Sequence, residues 1–170
     1  KKLIFIFYSV LSVSAQKPTK AEKAAQLEQE FQQTRQLIES NHFQFELNRV
    51  YPQDGQDLSR FNPRGKFVIT DSVAKGTLPF FGRAYSLPYG EGGGIEFDGV
   101  MKDQSLKIEH KKKRKILIYR FSITAKNDTY QISMEISGGG NCSVNLNSNN
   151  RAQISYSGTV SPVKDETGKS

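Results

Sequence analysis

Residues 115–137 read KILIYRFSITAKNDTYQISMEIS, two apolar segments joined by the polar turn 125–128. Successive side chains of a β-strand point to opposite faces, so a half-buried strand shows apolar residues at every second position. Both segments have this period of two, and the first also carries Ile116 and Ile118 on its other face. We therefore predict an antiparallel hairpin of two strands. The residues on the predicted core face are Leu117, Tyr119, Phe121 and Ile123, then Tyr130, Ile132, Met134 and Ile136.

The same alternation recurs on both sides of this hairpin. No helical pattern lies between the segments, which argues against a parallel sheet. About nine short strands with turns every 8–12 residues predict a mainly β fold, an antiparallel sandwich or barrel. The other predicted strands cover 43–48, 66–71, 73–78, 95–97, 105–110, 142–147 and 152–160.

One amphipathic helix, 19–40, precedes the strands. Thr19 and Glu22 have the spacing of a capping box, and Asn41 can end the helix in a left-handed conformation. A two-helix coiled coil would use the same apolar stripe, but three turns of stripe favour docking on the sheet. We expect Leu27, Phe31 and Ile38 to be buried there. The complete stripe is Ala24, Leu27, Phe31, Thr34 and Ile38.

The first 15 residues, KKLIFIFYSVLSVSA, have the pattern of a secretory signal peptide, with two lysines, a short apolar run and small residues before Ala15. The run is too short to span a bilayer, and we predict no transmembrane span. A single β domain, 16–160, would follow, and the polar tail 161–170 is predicted to be disordered. Export places the protein in the periplasm or outside the cell.

Composition limits the chemistry. The formal net charge of +7 favours weak attraction to anionic surfaces, and export argues against a nucleic-acid partner. Cys142 is the only cysteine, so no internal disulfide forms. It alternates with Val144 and Leu146 on the apolar side of its strand, which predicts a core residue instead of a nucleophile. No zinc, calcium or nucleophile-elbow motif occurs, so we expect no metal and no cofactor, and the catalytic residues, if any, are unknown.

The aromatic–glycine stretch 77–99, TLPFFGRAYSLPYGEGGGIEFDG, is the most irregular segment. Its glycines resemble a phosphate loop, but a strand follows them where that motif needs a helix. Its rings could stack on a ligand or could plug the end of a curved sheet. We expect Phe81 and Phe97 to point inward. The candidate ligand-binding residues are Phe80, Tyr85, Tyr89 and Glu91.

A run of basic residues occupies a predicted hairpin turn. A solvated turn explains such a run without any function. The functional alternative is contact with acidic lipid headgroups or glycans. The candidate residues for contact with an anionic surface are Lys111, Lys112, Lys113 and Arg114.

Three segments carry a resemblance to a known family: LPFFGRAYSLPYGEGGGIEFDG (78–99), DTYQISMEI (128–136) and SNNRAQISYSG (148–158). Together with the leader and the charged helix they resemble the secreted bacterial family called domain of unknown function 4251. The resemblance covers nearly the whole chain after the leader. It implies a Gram-negative envelope or secreted location, typical of Bacteroidota, and implies no activity, ligand or partner.

Three hypotheses for the function follow. The first is non-catalytic binding of a small ligand, glycan or lipid through the aromatic–glycine stretch. The second is a structural or protein-interaction module of the cell envelope. The third is a hydrolase that uses carboxylates between Glu91 and Asp98. A deep cavity beside Tyr85 would favour the first, and a filled interior with an exposed apolar helix face would favour the second.

Overall fold

The computed structural model of the chain describes residues 19–85, 94–111, 114–125 and 128–164. In this part of the chain one helix, α1 (Lys20–Glu39), precedes eight antiparallel strands that close into a barrel. The predicted fold class is thus confirmed, with the barrel form selected. The predicted signal peptide, 1–15, lies outside the described residues. The strands are β1 (His42–Pro52), β2 (Lys66–Thr70), β3 (Val73–Leu78), β4 (Ile95–Lys111), β5 (Arg114–Thr124), β6 (Thr129–Ser137), β7 (Asn141–Ser148) and β8 (Ile154–Pro162).

The barrel closes where the first strand meets the last. Each strand pairs with its neighbours in sequence, and β1 also pairs antiparallel with β8 from Phe43 opposite Pro162 to Pro52 opposite Ile154. Strand β8 runs two residues past the boundary predicted at 160. Beyond it, Lys164 Nζ donates to Glu46 Oε1 (2.8 Å). Residues 165–170 of the predicted tail lie outside the described part.

Strand β4 combines two segments that the sequence predicts as separate strands, 95–97 and 105–110. A β-bulge lies between Lys102 and Ser105, where Asp103 has a φ of 53°. A bulge inserts one residue into a strand, so the alternation of inward and outward side chains shifts by one. Before the bulge the inward side chains are those of odd-numbered residues, such as the buried Met101. Beyond it they are those of even-numbered residues, such as the half-buried Leu106. This shift breaks the sequence pattern although the backbone continues as one strand.

The barrel interior is filled by side chains. Four rings form a row across it, with centroid distances of 5.0 Å for Phe45–Phe67, 5.9 Å for Phe67–Phe97 and 6.3 Å for Phe97–Tyr130. All four are buried. Aromatic residues bury more apolar area than any other side chains, so this row is a main source of hydrophobic stabilisation.

Helix α1 begins and ends as the sequence predicts. Glu22 N donates to Thr19 Oγ1 (3.2 Å) and Thr19 N donates to Glu22 Oε2 (2.7 Å), which is the reciprocal capping box. Asn41, two residues past the last helical residue, has a φ of 49°, the left-handed conformation expected there. No helix within the described ranges combines the length and the apolar character that crossing a membrane requires.

The apolar contact of the helix with the barrel is confined to its C-terminal half. Phe31, Thr34 and Ile38 are buried, but Leu27 is 63% exposed, so the prediction that Leu27 packs against the sheet is wrong. The backbone of Phe31 lies against Gly138 in the β6–β7 turn, where an added Cβ would come within 3.2 Å of Phe31 N. The preceding residues of α1 extend beyond this turn, and 20–29 are all exposed.

This asymmetry predicts unequal effects on stability. Phe31→Ala should lower the free energy of unfolding by about 3–5 kcal/mol because it removes a buried ring. Leu27→Ala should change it by less than about 0.5 kcal/mol because an exposed side chain loses little contact. Equilibrium urea unfolding of both variants checks this, and a loss at Leu27 as large as at Phe31 would contradict the docking.

Candidate binding site at one end of the barrel

Four connections meet at one end of the barrel, which we call the loop end. Because neighbouring strands are antiparallel, the β1–β2, β3–β4, β5–β6 and β7–β8 connections all lie there, whereas α1 covers the other end. The aromatic–glycine stretch contains the β3–β4 connection. The structure describes 77–85 and 94–99 of this stretch, and the first of these segments can therefore be placed relative to the other loops.

Segment 77–85 of the stretch is fastened across the loop end. Tyr85 N donates to the carbonyl of Asn150 (2.7 Å), and Ala152 N donates to the carbonyl of Arg83 (2.9 Å). Between these bonds Ala84 pairs antiparallel with Arg151. Residues 83–85 thus form a short ladder with the β7–β8 connection.

Phe80 and Phe81 close the loop end. Both rings are half-buried and pack against the core. Beneath them, the hydroxyl of Tyr156 donates to the carbonyl of Pro79 (2.9 Å). The prediction that Phe97 points inward is confirmed, while Phe81 is inward only in part. Phe80 and Phe81 thus plug this end of the sheet, which is the alternative to contact with a ligand.

Tyr85 differs from the phenylalanines because 66% of it is exposed. The hydrogen bond from its backbone N–H to Asn150 anchors the main chain at the rim, and the ring extends from it into solvent. The other two candidate ligand residues, Tyr89 and Glu91, lie outside the described residues. Of the four candidates, the structure therefore brings Phe80 and Tyr85 to the same end, one half-buried and one exposed.

A buried ion pair lies under this rim, and sequence reasoning missed it. The side chains of Arg151 and Asp128 are only 5% and 7% exposed, and Arg151 Nε lies 3.8 Å from Asp128 Oδ2. The guanidinium carbon of Arg151 is 5.2 Å from the ring centre of Phe80. Asp128 also accepts hydrogen bonds from the hydroxyl of Ser148 (2.5 Å) and from Thr129 N (2.8 Å). A charged residue in an Asn-rich turn gives no sequence signal of burial.

Arg151 is not fully satisfied by this pair. Its Nε and Nη1 atoms are buried and have no hydrogen-bond partner among the described residues. An unpaired buried donor costs about 1–3 kcal/mol, so such groups usually meet a bound water, an ion or a ligand. The loop end therefore combines an exposed ring with buried donors below it.

Cys142 has no role at this site. It is buried on β7 among core residues, as predicted. Burial, with a smaller contribution from the Glu135 carboxylate, raises the pKa of its thiol far above the ordinary value. Since the thiolate is the reactive form, Cys142 is a small core hydrophobe in this fold.

The basic run lies at the helix end, opposite the loop end. Lys111 and Arg114 are exposed and face each other across the β4–β5 hairpin, and Lys111 Nζ lies 2.7 Å from Glu135 Oε2. Lys112 and Lys113 lie outside the described residues. Contact of this turn with an anionic surface stays a prediction.

Lys115, the residue that follows this run, has a structural role that the sequence did not indicate. Its ammonium donates to both carboxylate oxygens of Glu28 on α1 (2.8 and 2.9 Å). It also lies 5.6 Å from the ring centre of Phe31. Lys115 therefore connects β5 to the helix.

The described ranges hold neither a metal cluster nor a pair of carboxylates across a cleft near the aromatic–glycine stretch. No group of three or more His, Cys, Asp and Glu residues there is arranged to hold a metal ion. Glu96 and Asp98 alternate with the buried Phe97, so both carboxylates lie on the outer face of the barrel. Asp98 pairs with Lys75 Nζ (2.7 Å). These two carboxylates do not face each other across a groove.

Comparison with known proteins gives the family. The family described as "Domain of unknown function (DUF4251)" matches residues 25–160. The chain belongs to the DUF4251 family. A crystal structure of a DUF4251 family protein from Bacteroides eggerthii DSM 20697 is similar in fold, with a TM-score of 0.57 and 21% identity over 82% of this chain and 91% of that one. No curated protein matches the chain.

The two kinds of aromatic residue in the stretch should differ in their effect on the stability of this DUF4251 domain. Phe97→Ala should lower the free energy of unfolding by about 3–5 kcal/mol, since the ring is part of the buried row. Tyr85→Ala should cost less than about 0.5 kcal/mol, since most of the ring is already in water. The denaturant midpoints of the two variants measure this difference. Equal losses of unfolding free energy in Phe97→Ala and Tyr85→Ala would show that Tyr85 belongs to the core.

The ion pair predicts a second contrast. Asp128→Asn keeps the shape of the side chain but leaves the Arg151 cation buried without a counter-charge, which should cost about 3–5 kcal/mol. The matched control is Asp98→Asn, which breaks the exposed pair with Lys75 and should leave the midpoint nearly unchanged. Equally small losses would mean that solvent already balances the charge of Arg151.

Proposed function

We propose that this DUF4251 domain is an exported, non-catalytic binding domain of the bacterial envelope that contacts its ligand at the loop end. The observation that carries the proposal is the ring of Tyr85, exposed at the rim while its backbone is hydrogen-bonded to the β7–β8 connection. An anchored backbone reduces the segment ordering that a ligand must impose when it stacks on the ring. Tyrosine also offers a polar hydroxyl at a wet rim.

The filled interior favours a ligand that binds on the rim. The aromatic row across the barrel occupies the space that a barrel enclosing a lipid chain would leave open. A glycan fits the rim better, because the flat face of a sugar ring can stack on an aromatic ring. The unpaired donors of Arg151 lie beneath the same rim and suit an acidic group or a bridging water.

Export is supported by the leader pattern in 1–15. Binding is favoured over hydrolysis because Glu96 and Asp98, the described carboxylates near the stretch, lie on the outer face and not across a cleft. A glycosidase needs two carboxyl groups on either side of the scissile bond, about 5–9.5 Å apart.

The chain contains no tryptophan, which allows a direct test. Tyr85→Trp would place the only indole of the chain at the rim, where its emission can be excited apart from that of the remaining tyrosines. Titration with a soluble peptidoglycan digest should shift its emission to the blue in a saturable way, because the bound sugar excludes water from the indole. Calorimetry of the wild type should then show binding that Tyr85→Ala weakens about five- to tenfold, the loss expected for one stacked ring, and that Tyr85→Phe largely retains.

Two controls make the result specific. Titration with phosphatidylglycerol vesicles in place of the digest tests whether a lipid surface is the ligand. A response to vesicles and not to the digest would show that the loop end binds lipid and not glycan. Leu27→Ala, at the opposite end of the barrel, should bind as the wild type does. Unchanged binding in Tyr85→Ala would contradict the proposal.

A protein-interaction module is the second candidate, and two observations favour it: the filled interior of the barrel and the exposed N-terminal half of α1. This half carries Leu27 outside the barrel contact, on a helix whose other half is firmly docked. If Leu27→Ala abolished the recovery of a partner from envelope extracts while Tyr85→Ala did not, the helix would be the functional surface.

A further inference from the structure

Strand β4 is longer than the strand beside it. Pairing with β3 ends where Val73 faces Val100, but β4 continues to Lys111 with β5 as its partner. Among the described residues, no strand pairs with the other edge of β4 beyond the bulge. The segment 105–111, which we call the open edge, therefore presents backbone groups on one side.

Successive residues of a strand point their backbone N–H and C=O groups to opposite sides, and this alternation, which we call parity, shows which residues of the open edge have unpaired groups. Met101 N donates to the carbonyl of Ser72 beside β3 (2.7 Å), so its backbone groups point away from β5. Met101 and its partner Ile123 on β5 are thus a non-hydrogen-bonded pair. The hydrogen-bonded positions of β5 toward β4 are therefore the even-numbered residues, which run from Ser122 back to Arg114. The β4 residues opposite those positions beyond the bulge are Ser105, Lys107, Glu109 and Lys111. The residues whose N–H and C=O groups point to the open side are Leu106, Ile108 and His110.

The side chains of the open edge are suited to pairing. Ile108 is 40% exposed and lies on the face of the sheet that carries the buried Leu117. Lys107 and Glu109 lie on the opposite face, and both are exposed. The Glu109 carboxylate is near Lys111 of its own chain and makes a small contribution to the raised pKa of that lysine. A lysine on an edge strand normally discourages pairing, but a glutamate facing it would reverse that effect.

We propose that the open edge pairs antiparallel with the open edge of a second copy of this chain, about a two-fold axis through Ile108. Ile108 then faces Ile108 of the partner subunit, and their backbone groups, which both point to the open side, form a hydrogen-bonded pair. Leu106 faces His110 of the partner subunit with the same geometry. The result is a sheet continuous across the two barrels.

Charge complementarity selects the second copy and this register. Lys107 faces Glu109 of the partner subunit, and two-fold symmetry makes the same contact twice. These pairs occupy non-hydrogen-bonded positions, where side chains on facing strands lie closest. The neighbouring registers with correct hydrogen-bond parity place Lys107 opposite Lys107 of the partner subunit or Glu109 opposite Glu109 of the partner subunit. Both like-charge arrangements are destabilising.

The interface is one short strand on each side, so the dimer is weak and depends on concentration. This dimer leaves the loop end free, since the open edge lies at the helix end of the barrel. The rim site and the dimer can therefore form together, with two rims on one particle. Bivalency of this kind would raise avidity for a repetitive polymer.

A charge-swap cycle tests the register. In sedimentation equilibrium the wild type should dimerise reversibly, and Lys107→Glu and Glu109→Lys should each weaken the dimer about tenfold, because each turns two attractive pairs into two repulsive ones. The double variant exchanges the two charges and should recover wild-type affinity within about threefold. Lys102→Glu, with the same change in charge but before the bulge, is the matched control and should dimerise as the wild type does. Thermal unfolding verifies that every variant is folded.

Amide hydrogen exchange tests the backbone contact independently. As protein concentration rises, the N–H groups of Leu106, Ile108 and His110 should become protected, while those of Lys107 and Glu109, already bonded to β5, should not change. A wild type that stays monomeric at every accessible concentration would overturn the proposal. So would a dimer that is indifferent to the single charge swaps, or one that the double variant fails to restore.

Discussion

The pairing of β1 with β8 is the contact on which the rest of the structure depends. It joins the two ends of the sheet and creates an interior that the row of rings can fill. Gly158 permits the approach, because a Cβ there would come within 2.0 Å of the carbonyl oxygen of Glu46 and 2.8 Å of the ring of Phe45. The β1 register shifts between Leu47 and Arg49 at this same point. Closure of the barrel therefore depends on Gly158, which has no side chain, and on the shift of register opposite it in β1.

A closed barrel still has two open ends, and this chain covers them with different kinds of structure. The C-terminal half of α1 covers one end by apolar burial, with Lys115 bonded to Glu28 at its margin. The loop end is covered by half-buried rings and by a short ladder between loops, above the buried pair of Arg151 and Asp128. Polar groups held under a rim can meet a ligand without rearrangement of the barrel. This difference between the ends is why the binding hypothesis belongs to the loop end.

The bulge in β4 connects the helix end to the open edge. The hydroxyl of Tyr119 lies 3.0 Å from Asn41 Oδ1 at the end of α1 and 3.0 Å from Gln104 Oε1 within the bulge. Burial raises the pKa of Tyr119 to about 12, so the hydroxyl remains a donor even at the alkaline pH at which an ordinary tyrosine ionises. Ser122 holds the other side of the bulge through Asp103 Oδ2 (2.9 Å). These contacts surround the bulge, whose extra residue sets the parity of the strand beyond it and hence which backbone groups reach its free side.

By itself the sequence determined the local features, since each depends on residues close together in the chain. The period of two identifies the core faces of the strands, Thr19 and Glu22 cap the helix, and the alternation around Cys142 places that thiol in the core. Only the tertiary structure decided what depends on distant neighbours. Burial of Arg151, exposure of Leu27 and the contact of Lys115 with the helix each depend on an element remote in sequence. Barrel closure is of the same kind, because an apolar face looks identical in a sandwich and in a barrel until its two edge strands meet.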